Sequence, residues 1–158
     1  MEDLAPELGW TPLTPFWEAL GTRSFVSSDD GDRIRVRYFA DEAGTTWARA
    51  AFGPGAEGPP GHVHGGALAA LLDEAMGMAV LATGRVCVAA RIEVDFRSMV
   101  RLGEVVTAEM ALGEATPRKI PVRATLRQSD GATVCEATGL FVDIGTDGLG
   151  RAAERAGL

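Results

Sequence analysis

Histidine and cysteine are scarce among the 158 residues of this chain, and their scarcity excludes several kinds of site. The only two histidines are His62 and His64, and no cluster of Cys, His or carboxylate residues completes a zinc site around them. Cys87 and Cys135 stand in strand-like apolar stretches without a neighbouring histidine. That setting disfavours a thiol nucleophile and predicts two buried, reduced thiols. We therefore expect neither a metal nor a cofactor.

An excess of basic residues, a signal-peptide core and a long apolar run are also missing. Fifteen Lys and Arg residues against 22 Asp and Glu residues give a net charge of -7, whereas non-specific nucleic-acid binding requires a basic surface. The N-terminal sequence MEDLAPELGW lacks the apolar core of a signal peptide. The apolar stretch 67–82 carries two acids and is too short to span a bilayer comfortably. We expect a cytoplasmic protein that binds neither nucleic acid nor membranes.

The length and the absence of repeats or linkers predict a single domain over residues 1–158. Residues 1–30 are expected to form an N-terminal extension with a short helix, which Thr14 caps and Gly21 ends. Residues 145–158 are expected to form a polar C-terminal tail.

The hydropathy pattern predicts one long helix among strands. Residues 65 to about 82 are apolar on nearly every side of a helix, so we expect that helix to be buried all round. Asp130 and Gly131 predict a tight hairpin between the last two strands. The predicted strands cover 33–39, 46–52, 86–96, 106–112, 120–126 and 132–144. One buried helix and long antiparallel strands predict an α+β domain in which a sheet wraps around a helix.

Two carboxylates, Asp73 and Glu74, stand in the middle of the most apolar helix. Burying an unpaired carboxylate costs several kcal/mol, so such a residue is usually paired or useful. Neighbours on a helix point about 100° apart, so one acid can face a site while the other meets a strand or a partner subunit. The alternative is a buried ion pair with an arginine such as Arg91 or Arg97. Both interpretations stay open at this point.

His64, Gly65 and Gly66 stand where the predicted loop becomes the helix. A helix begins with unpaired backbone N–H groups, which are suited to stabilise the oxyanion of acyl transfer. Alternatively, the glycines only allow a tight turn under a crowded sheet. Asp73 lies roughly 10–13 Å from these amides at 1.5 Å per residue, too far to act on the same thioester carbon. If both act, they come from different subunits across a two-fold axis.

The segment 58–77, GPPGHVHGGALAALLDEAMG, resembles the signature of hotdog-fold acyl-CoA thioesterases of the phenylacetate-pathway (PaaI-like) branch. It is most similar to the subgroup with G-P-P-G-x-V-H-G-G before the helix, and the likeness covers about residues 46–144. The resemblance implies a hotdog fold, with an antiparallel sheet wrapped around one long buried central helix. It also implies an acyl-CoA substrate, hydrolysis of its thioester bond and a homodimer or homotetramer.

The resemblance also implies roles for single residues. Asp73 matches the family aspartate that attacks the thioester directly or activates a water. Gly65 and Gly66 match the glycines that form the oxyanion hole, donated from the other subunit. His64 matches the motif histidine, which we expect to position the loop. Glu74 has no fixed role in the family pattern, and we interpret it as structural.

Contacts with the substrate are also implied by the resemblance. Arg118 and Lys119 match a basic pair in similar enzymes and are candidates to bind CoA phosphates by charge-assisted hydrogen bonds. The alternative is a solvated strand end, and Arg97 is a second candidate. Related enzymes often place Ser or Thr, which helps to hold the water, where this chain has Ala89. Other branch members carry Asn at the position of Gly58, although the most similar subgroup has Gly there.

The sequence also bears on three other functions. A hotdog module that binds acyl-CoA or another apolar ligand without hydrolysis is favoured by Ala89 and opposed by Asp73, because a binder would gain from Leu or Met there. A hotdog dehydratase or hydratase usually needs a catalytic histidine on the helix side of the motif, where this chain has Asp73. A serine hydrolase would need a G-x-S-x-G elbow, which the sequence lacks.

Overall fold

An antiparallel sheet with one long helix on its face makes up most of the structure. The computed structural model describes residues 4–28 and 30–155. In chain order the elements are β1 (Thr11–Leu13), α1 (Phe16–Leu20), β2 (Ile34–Ala40), β3 (Thr46–Phe52), a 3-10 turn (Pro54–Ala56), α2 (Gly65–Leu81), β4 (Cys87–Phe96), β5 (Val105–Leu112), β6 (Lys119–Gln128), β7 (Thr133–Asp143) and α3 (Gly145–Arg155). Within these residues one seven-stranded sheet has the order β1-β2-β3-β5-β6-β7-β4. The predicted α+β class is confirmed.

Helix α2 packs its large apolar side chains on the sheet. Leu71, Leu72 and Met76 are fully buried, and burying each such side chain contributes roughly 1.5–3 kcal/mol. Side chains on a strand alternate between its two faces, so every second residue of a strand can meet the helix. Together with residues of the sheet, these side chains form the hydrophobic core. The buried core residues from β3, β5 and β6 are Ala48, Ala50, Phe52, Val106, Ala108, Met110, Ile120, Val122, Ala124 and Leu126.

Helix α2 is central and largely buried, as predicted, but one stripe of it stays uncovered in the single chain. Ala69 and Ala70 lie three and four residues after Gly66, and Asp73 lies three residues after Ala70, so the four share one side of the helix. All four are exposed or half-buried. The sheet covers the opposite face of the helix. The hydropathy of the sequence does not distinguish the two faces, because the residues on both are mostly small or apolar. We call these four residues the α2 stripe.

Strand β4 lies at the edge of the sheet and pairs with β7 alone among the described strands. The sequence predicts one apolar face along this strand, but the register shifts between Ala89 and Arg91. A bulge adds one residue and reverses which side chains face the core. Ile92 and Val94 therefore pack on the core, whereas Val88 is 49% exposed. The prediction was wrong at Val88 for this reason.

The ends of the chain were predicted only in part. Helix α1 ends at Gly21, which has a φ of 65° as a helix-ending glycine requires. Its N-cap position is held by Pro15 without a side-chain hydrogen bond, so Thr14 is not the cap. The expected polar tail contains helix α3, whose three glycines lower its helix propensity and conceal it in the sequence. Both cysteines are free, but Cys87 is only half-buried because it opens the edge strand.

Candidate active site

The start of α2 is held by the side chain of His64. This residue occupies the N-cap position with φ −65° and ψ 135°, and its Nδ1 accepts a hydrogen bond from the Gly66 N–H at 2.8 Å. A ring nitrogen that accepts carries no proton, so the neutral ring holds its proton on Nε2. A Cβ at Gly58 would lie 2.7 Å from the Cα of His64. The side chain of asparagine therefore does not fit at position 58 unless this backbone shifts.

The Gly65 N–H is the free amide at the start of α2. Within residues 4–28 and 30–155 it donates no hydrogen bond, in contrast to the capped N–H of Gly66. A Cβ at Gly65 would lie 3.4 Å from Cζ of Phe96, whose ring at the end of β4 is 53% exposed. An unpaired N–H at the positive end of a helix dipole stabilises negative charge. The N–H of Gly65 is therefore free to donate a hydrogen bond, whereas the N–H of Gly66 is already bonded to His64.

Asp73 lies on the α2 stripe, eight residues beyond Gly65. At 1.5 Å per residue the two groups are about 12 Å apart along the helix axis. The carboxylate binds no other side chain in the described part of the chain. Desolvation by the surrounding helix and sheet raises the pKa of Asp73 above its ordinary value, although the side chain is open to solvent. A carboxylate with a raised pKa is a stronger base than an ordinary aspartate and is suited to accept a proton.

The arginines considered as ion-pair partners for the helix acids bind other carboxylates. Arg91 Nη2 lies 3.4 Å from Glu93 Oε2, and Arg97 Nη2 lies 3.1 Å from Glu136 Oε2. The alternative of a buried ion pair between the helix acids and these two arginines is therefore wrong. Both pairs are largely exposed, and exposed pairs contribute at most about 1 kcal/mol. Arg97, the second candidate for a phosphate, already carries a carboxylate partner.

Glu74 is held in place by two hydroxyl groups from distant parts of the chain. The Ser24 hydroxyl donates to Oε2 at 2.7 Å, and the Tyr38 hydroxyl donates to Oε1 at 2.8 Å. Burial raises the pKa of Glu74, and the two hydrogen bonds act in the opposite direction. Burial also raises the pKa of Tyr38, and the Glu74 charge adds to that shift. Glu74 therefore joins α2 to β2 and to the N-terminal extension.

We expect a double-mutant cycle to measure this link. Tyr38→Phe removes the hydroxyl that donates to Glu74, and a hydrogen bond to a charged group contributes about 1.5–3 kcal/mol. The free energy of unfolding in urea should fall by about that amount, whereas the same change in a Glu74→Gln background should cost less because the neutral amide is a weaker acceptor. Equal losses in both backgrounds would show that the hydroxyl does not depend on the Glu74 charge.

The basic residues expected to meet the substrate lie away from the start of α2. Arg118 directly precedes β6, Lys119 begins that strand, and both are exposed. Arg118 also lines a cleft of about 400 Å³ together with Arg151 and Arg155 of α3. Sequence reasoning missed these two arginines because it did not predict the helix that carries them. Their spacing of four residues, which places both on one helix face, is the signal that would have found them.

Two kinds of feature are absent from the residues that the structure describes. No three His, Cys, Asp or Glu side chains converge there as metal ligands would. Nor does this part of the chain contain a helix long and apolar enough to cross a membrane.

Comparison with known proteins supports the resemblance found in the sequence. The model of the thioesterase superfamily matches residues 60–135, the segment that contains His64, Gly65, Gly66 and Asp73. The predicted resemblance to hotdog-fold thioesterases is confirmed. Acyl-coenzyme A thioesterase THEM4 of Rattus norvegicus is 33% identical over 92 residues, which are 58% of this chain and 40% of that protein. The chain spans about two fifths of the length of the curated relatives it matches.

Solved structures of thioesterase-superfamily members share the fold. The Escherichia coli PaaI protein from the phenylacetic acid degradation operon superposes with a TM-score of 0.64 at 21% identity, covering 82% of this chain and 84% of that chain. A hypothetical thioesterase from Streptococcus pneumoniae TIGR4, solved with coenzyme A, superposes with a TM-score of 0.65 at 19% identity, covering 72% and 90%. The predicted hotdog fold is confirmed.

In one copy of the chain, the free amide and the carboxylate do not meet. Gly65 and Asp73 lie on the same helix about 12 Å apart, farther than the atoms of one reacting thioester group extend. The start of α2 meets the end of the edge strand β4, where the Phe96 ring lies next to Gly65. Within a single chain the two groups are therefore too far apart to act on one thioester group.

Proposed function

We propose that this protein is an acyl-CoA thioesterase whose active site forms between two copies of the chain. The observation that carries the proposal is the pair of groups on α2, the Gly65 N–H and the Asp73 carboxylate, which have no partner among the described residues. One can stabilise an oxyanion and the other can accept a proton, as thioester hydrolysis requires. The name acyl-coenzyme A thioesterase, carried by the curated relatives, supports the same activity.

A homodimer would bring the two groups together. In a two-fold pair the same surface is used by both copies, so the start of α2 in one subunit can face Asp73 of the partner subunit. The small residues of the α2 stripe allow two helices to approach closely, and an open edge such as that of β4 can pair with a second chain. Each dimer then contains two equivalent sites. A tetramer would add a second interface and leave these sites intact.

The reaction follows from the two groups. The Asp73 carboxylate takes a proton from a water, whose oxygen bonds to the thioester carbon as the carbonyl electrons move onto oxygen. The Gly65 N–H of the other subunit donates to that oxyanion, and His64 holds the amide in place by capping the helix. The oxyanion then collapses, the carbon–sulfur bond breaks, and the sulfur takes the proton from Asp73. The products are a carboxylic acid and CoA. Direct attack by Asp73 would give the same products through an anhydride.

The coenzyme is proposed to bind at the basic residues around β6. Arg118 and Lys119 are exposed, and the pair offers donors for phosphate oxygens. The proximity of Arg151 and Arg155 to Arg118 adds positive charge to a protein whose net charge is -7. That local excess would offset the repulsion that the whole chain exerts on an anionic ligand. Arg97 is a weaker candidate because it already pairs with a carboxylate.

We also propose that the protein is cytoplasmic. Both cysteines are free thiols. Disulfides form and persist in oxidising compartments, so free thiols are consistent with a reducing one.

Release of free thiol from a panel of short, long, aromatic and hydroxylated acyl-CoAs tests the proposed activity. We expect turnover of at least one class of acyl-CoA. The released CoA thiol is measured with a thiol reagent, after the protein's own thiols have been counted with the same reagent. The second candidate function is a module that binds acyl-CoA without hydrolysing it. It is favoured by Ala89, which lies exposed next to the β4 bulge and brings no hydroxyl to hold a water. A raised Tm with an acyl-CoA and no thiol release would support the binding module.

A further inference from the structure

Arg85 lies between α2 and β4, and all three of its guanidinium nitrogens donate to other parts of the protein. Nε donates to Asp143 Oδ2 at 2.8 Å. Nη1 and Nη2 both donate to the carbonyl oxygen of Thr116 at 3.1 Å, and Nη2 also donates to that of Pro117 at 2.6 Å. The side chains of Arg85 and Asp143 are only 25% and 22% exposed. Arg85 therefore ties the turn before β6 to the end of β7.

Asp143 extends this connection to α3. It is the last residue of β7, and its Oδ1 accepts a hydrogen bond from the N–H of Gly145, the first residue of α3, at 2.8 Å. Its own N–H donates to the carbonyl oxygen of Arg118 at 2.9 Å. Asp143 thus binds Arg118 on one side and the start of α3 on the other. We call Arg85 and Asp143 the clamp.

The clamp joins the two walls of the cleft of about 400 Å³ that Arg118 shares with α3. Arg118 reaches this cleft from the position before β6, whereas Arg151 and Arg155 reach it from α3. In the described part of the chain none of these three arginines lies within ion-pair distance of a carboxylate. The cleft therefore offers three arginines to an anion.

The charge of Asp143, which also lines the cleft, is compensated by Arg85. The hydrogen bond from Arg85 holds the pKa of the Asp143 carboxyl below its ordinary value, and the N–H of Gly145 acts in the same direction. Both carboxylate oxygens accept hydrogen bonds from the protein. An anion in the cleft would therefore meet three arginines and one carboxylate that already has a cationic partner.

We propose that the clamp positions Arg118 against α3, so that Arg118, Arg151 and Arg155 together bind phosphate groups at the nucleotide end of coenzyme A. The proposal rests on the proposed function, which makes a CoA thioester the ligand. An arginine binds a phosphate through paired N–H donors of fixed geometry, so the placement of the arginines matters as well as their charge. Arg85 and Asp143 are then positioning residues for the coenzyme. Asp143 and α3 lie beyond the segment 60–135 that the family model matches.

Two substitutions that keep or raise the positive charge of this region test the clamp. Asp143→Asn removes a negative charge from the cleft, and Arg85→Lys keeps the positive charge but loses the planar fork of donors. If charge alone governs binding, Asp143→Asn should tighten CoA and Arg85→Lys should leave its Kd unchanged. If the clamp positions the arginines, both variants should raise the Kd of CoA about tenfold in calorimetry, the cost of one charged hydrogen bond. A Kd for Asp143→Asn at or below that of the wild type would overturn the clamp.

Removal of the α3 arginines shows whether the clamp acts through them. Arg151→Gln combined with Arg155→Gln should raise the Kd of CoA about tenfold or more. In that background Arg85→Lys should add at most about a twofold effect, because residues that act through one another are not additive. Full multiplication of the two effects would overturn the positioning role. Arg37→Lys, at an exposed position of β2 far from β7 in the sheet order, is the matched control and should leave the Kd unchanged.

Binding of adenosine 3′,5′-bisphosphate tests which end of the coenzyme the cleft holds. This compound carries phosphate groups of the nucleotide end but neither the pantetheine arm nor a thioester. It should compete with CoA for the wild type, and Asp143→Asn should weaken it as much as it weakens CoA. A loss of affinity for CoA alone would overturn the assignment to the nucleotide end. Thermal melts of all variants check that they are folded.

These measurements need no turnover, so they separate the clamp from the proposed function. With an acyl-CoA that the wild type hydrolyses, the clamp variants should raise KM and leave kcat unchanged, since the clamp lies away from the reacting groups. Absence of thiol release by the wild type, with the expected changes in CoA binding intact, would overturn the hydrolase and leave the clamp standing. Thiol release together with an unchanged Kd in both clamp variants would overturn the clamp and leave the hydrolase standing.

Discussion

Replacing Asp73 with asparagine should lower kcat for thiol release by a factor of roughly 100 or more, because general acid–base catalysis contributes about 10²–10⁴. Asparagine keeps the shape of the side chain but can neither accept a proton from water nor attack a carbonyl carbon. Asp147→Asn is a suitable control, since it removes an exposed carboxylate from α3 and should leave kcat unchanged. Retention of more than a tenth of the activity by the Asp73 variant would contradict the proposed role.

Stability should move in the opposite direction to activity in this variant. Desolvation raises the pKa of Asp73 in the folded chain. A raised pKa means that the group contributes its full stability below its unfolded pKa and loses that contribution as the pH rises through the folded pKa. Asp73→Asn removes this loss of stability at higher pH. The Tm of the variant should therefore exceed that of the wild type at pH 7, and the difference between the two Tm values should shrink towards pH 3. A lower Tm at pH 7 would indicate a structural aspartate instead.

The pH dependence of wild-type turnover gives a further readout of the same group. As a base, Asp73 is active only when it is deprotonated, so kcat/KM should fall as the pH drops through its pKa. Because burial raises that pKa, the acidic limb should lie above the value of about 3.9 of an ordinary aspartate. An acidic limb at or below the ordinary value would show that a different group limits the reaction.

Local patterns in the sequence were enough to predict most elements of the fold. Strand β3 has the predicted bounds of 46–52, and α2 ends within one residue of its predicted limit. These elements are set by apolar residues at the spacing of a strand or a helix, which the sequence displays directly. Helix α3 is amphipathic, but its three glycines lower its helix propensity and conceal it in the sequence. Strand β1 is three residues long and depends on its pairing with β2.

Contacts between distant residues explain what the sequence did not reveal about the site. The partners of Glu74 are Ser24 and Tyr38, which lie 50 and 36 residues away along the chain. Nothing in the sequence around these two hydroxyl groups indicates that they bind a carboxylate so far away along the chain. The bulge in β4 likewise appears only when β7 is paired beside it. In contrast, the separation of Asp73 from the start of α2 follows from helix geometry alone, so the sequence was sufficient for it.

Gly65→Pro should lower kcat by a factor of about 10²–10³, the usual cost of removing one oxyanion-hole donor. A backbone N–H can be deleted only by proline, and Gly65 is the first residue of α2, where proline is well tolerated. His64 has a ψ of 135°, which is the conformation preferred before proline. The variant should therefore keep the helix and lose the free amide.

Gly65→Ala is the matched control for the proline variant, because alanine keeps the N–H. Its Cβ would meet the Phe96 ring at 3.4 Å, an ordinary contact with an exposed side chain. We expect this variant to retain most of the wild-type kcat, and circular dichroism should show the same helix content in both variants. Equal loss of activity in the alanine and proline variants would assign the effect to the crowding of Phe96 and not to the amide.

Combining two inactive subunits should restore activity if the site lies between them. A heterodimer of Asp73→Asn and Gly65→Pro subunits has one site with both defects and one site with an intact Asp73 and an intact Gly65. Differently tagged subunits, co-expressed and purified through both tags, should therefore show about half of the wild-type kcat per dimer, since a two-fold dimer has two equivalent sites. If Asp73 acted with the Gly65 amide of its own chain, each subunit would carry one defect and the heterodimer would be inactive. Recovery of activity would thus show that Gly65 and Asp73 act across the interface.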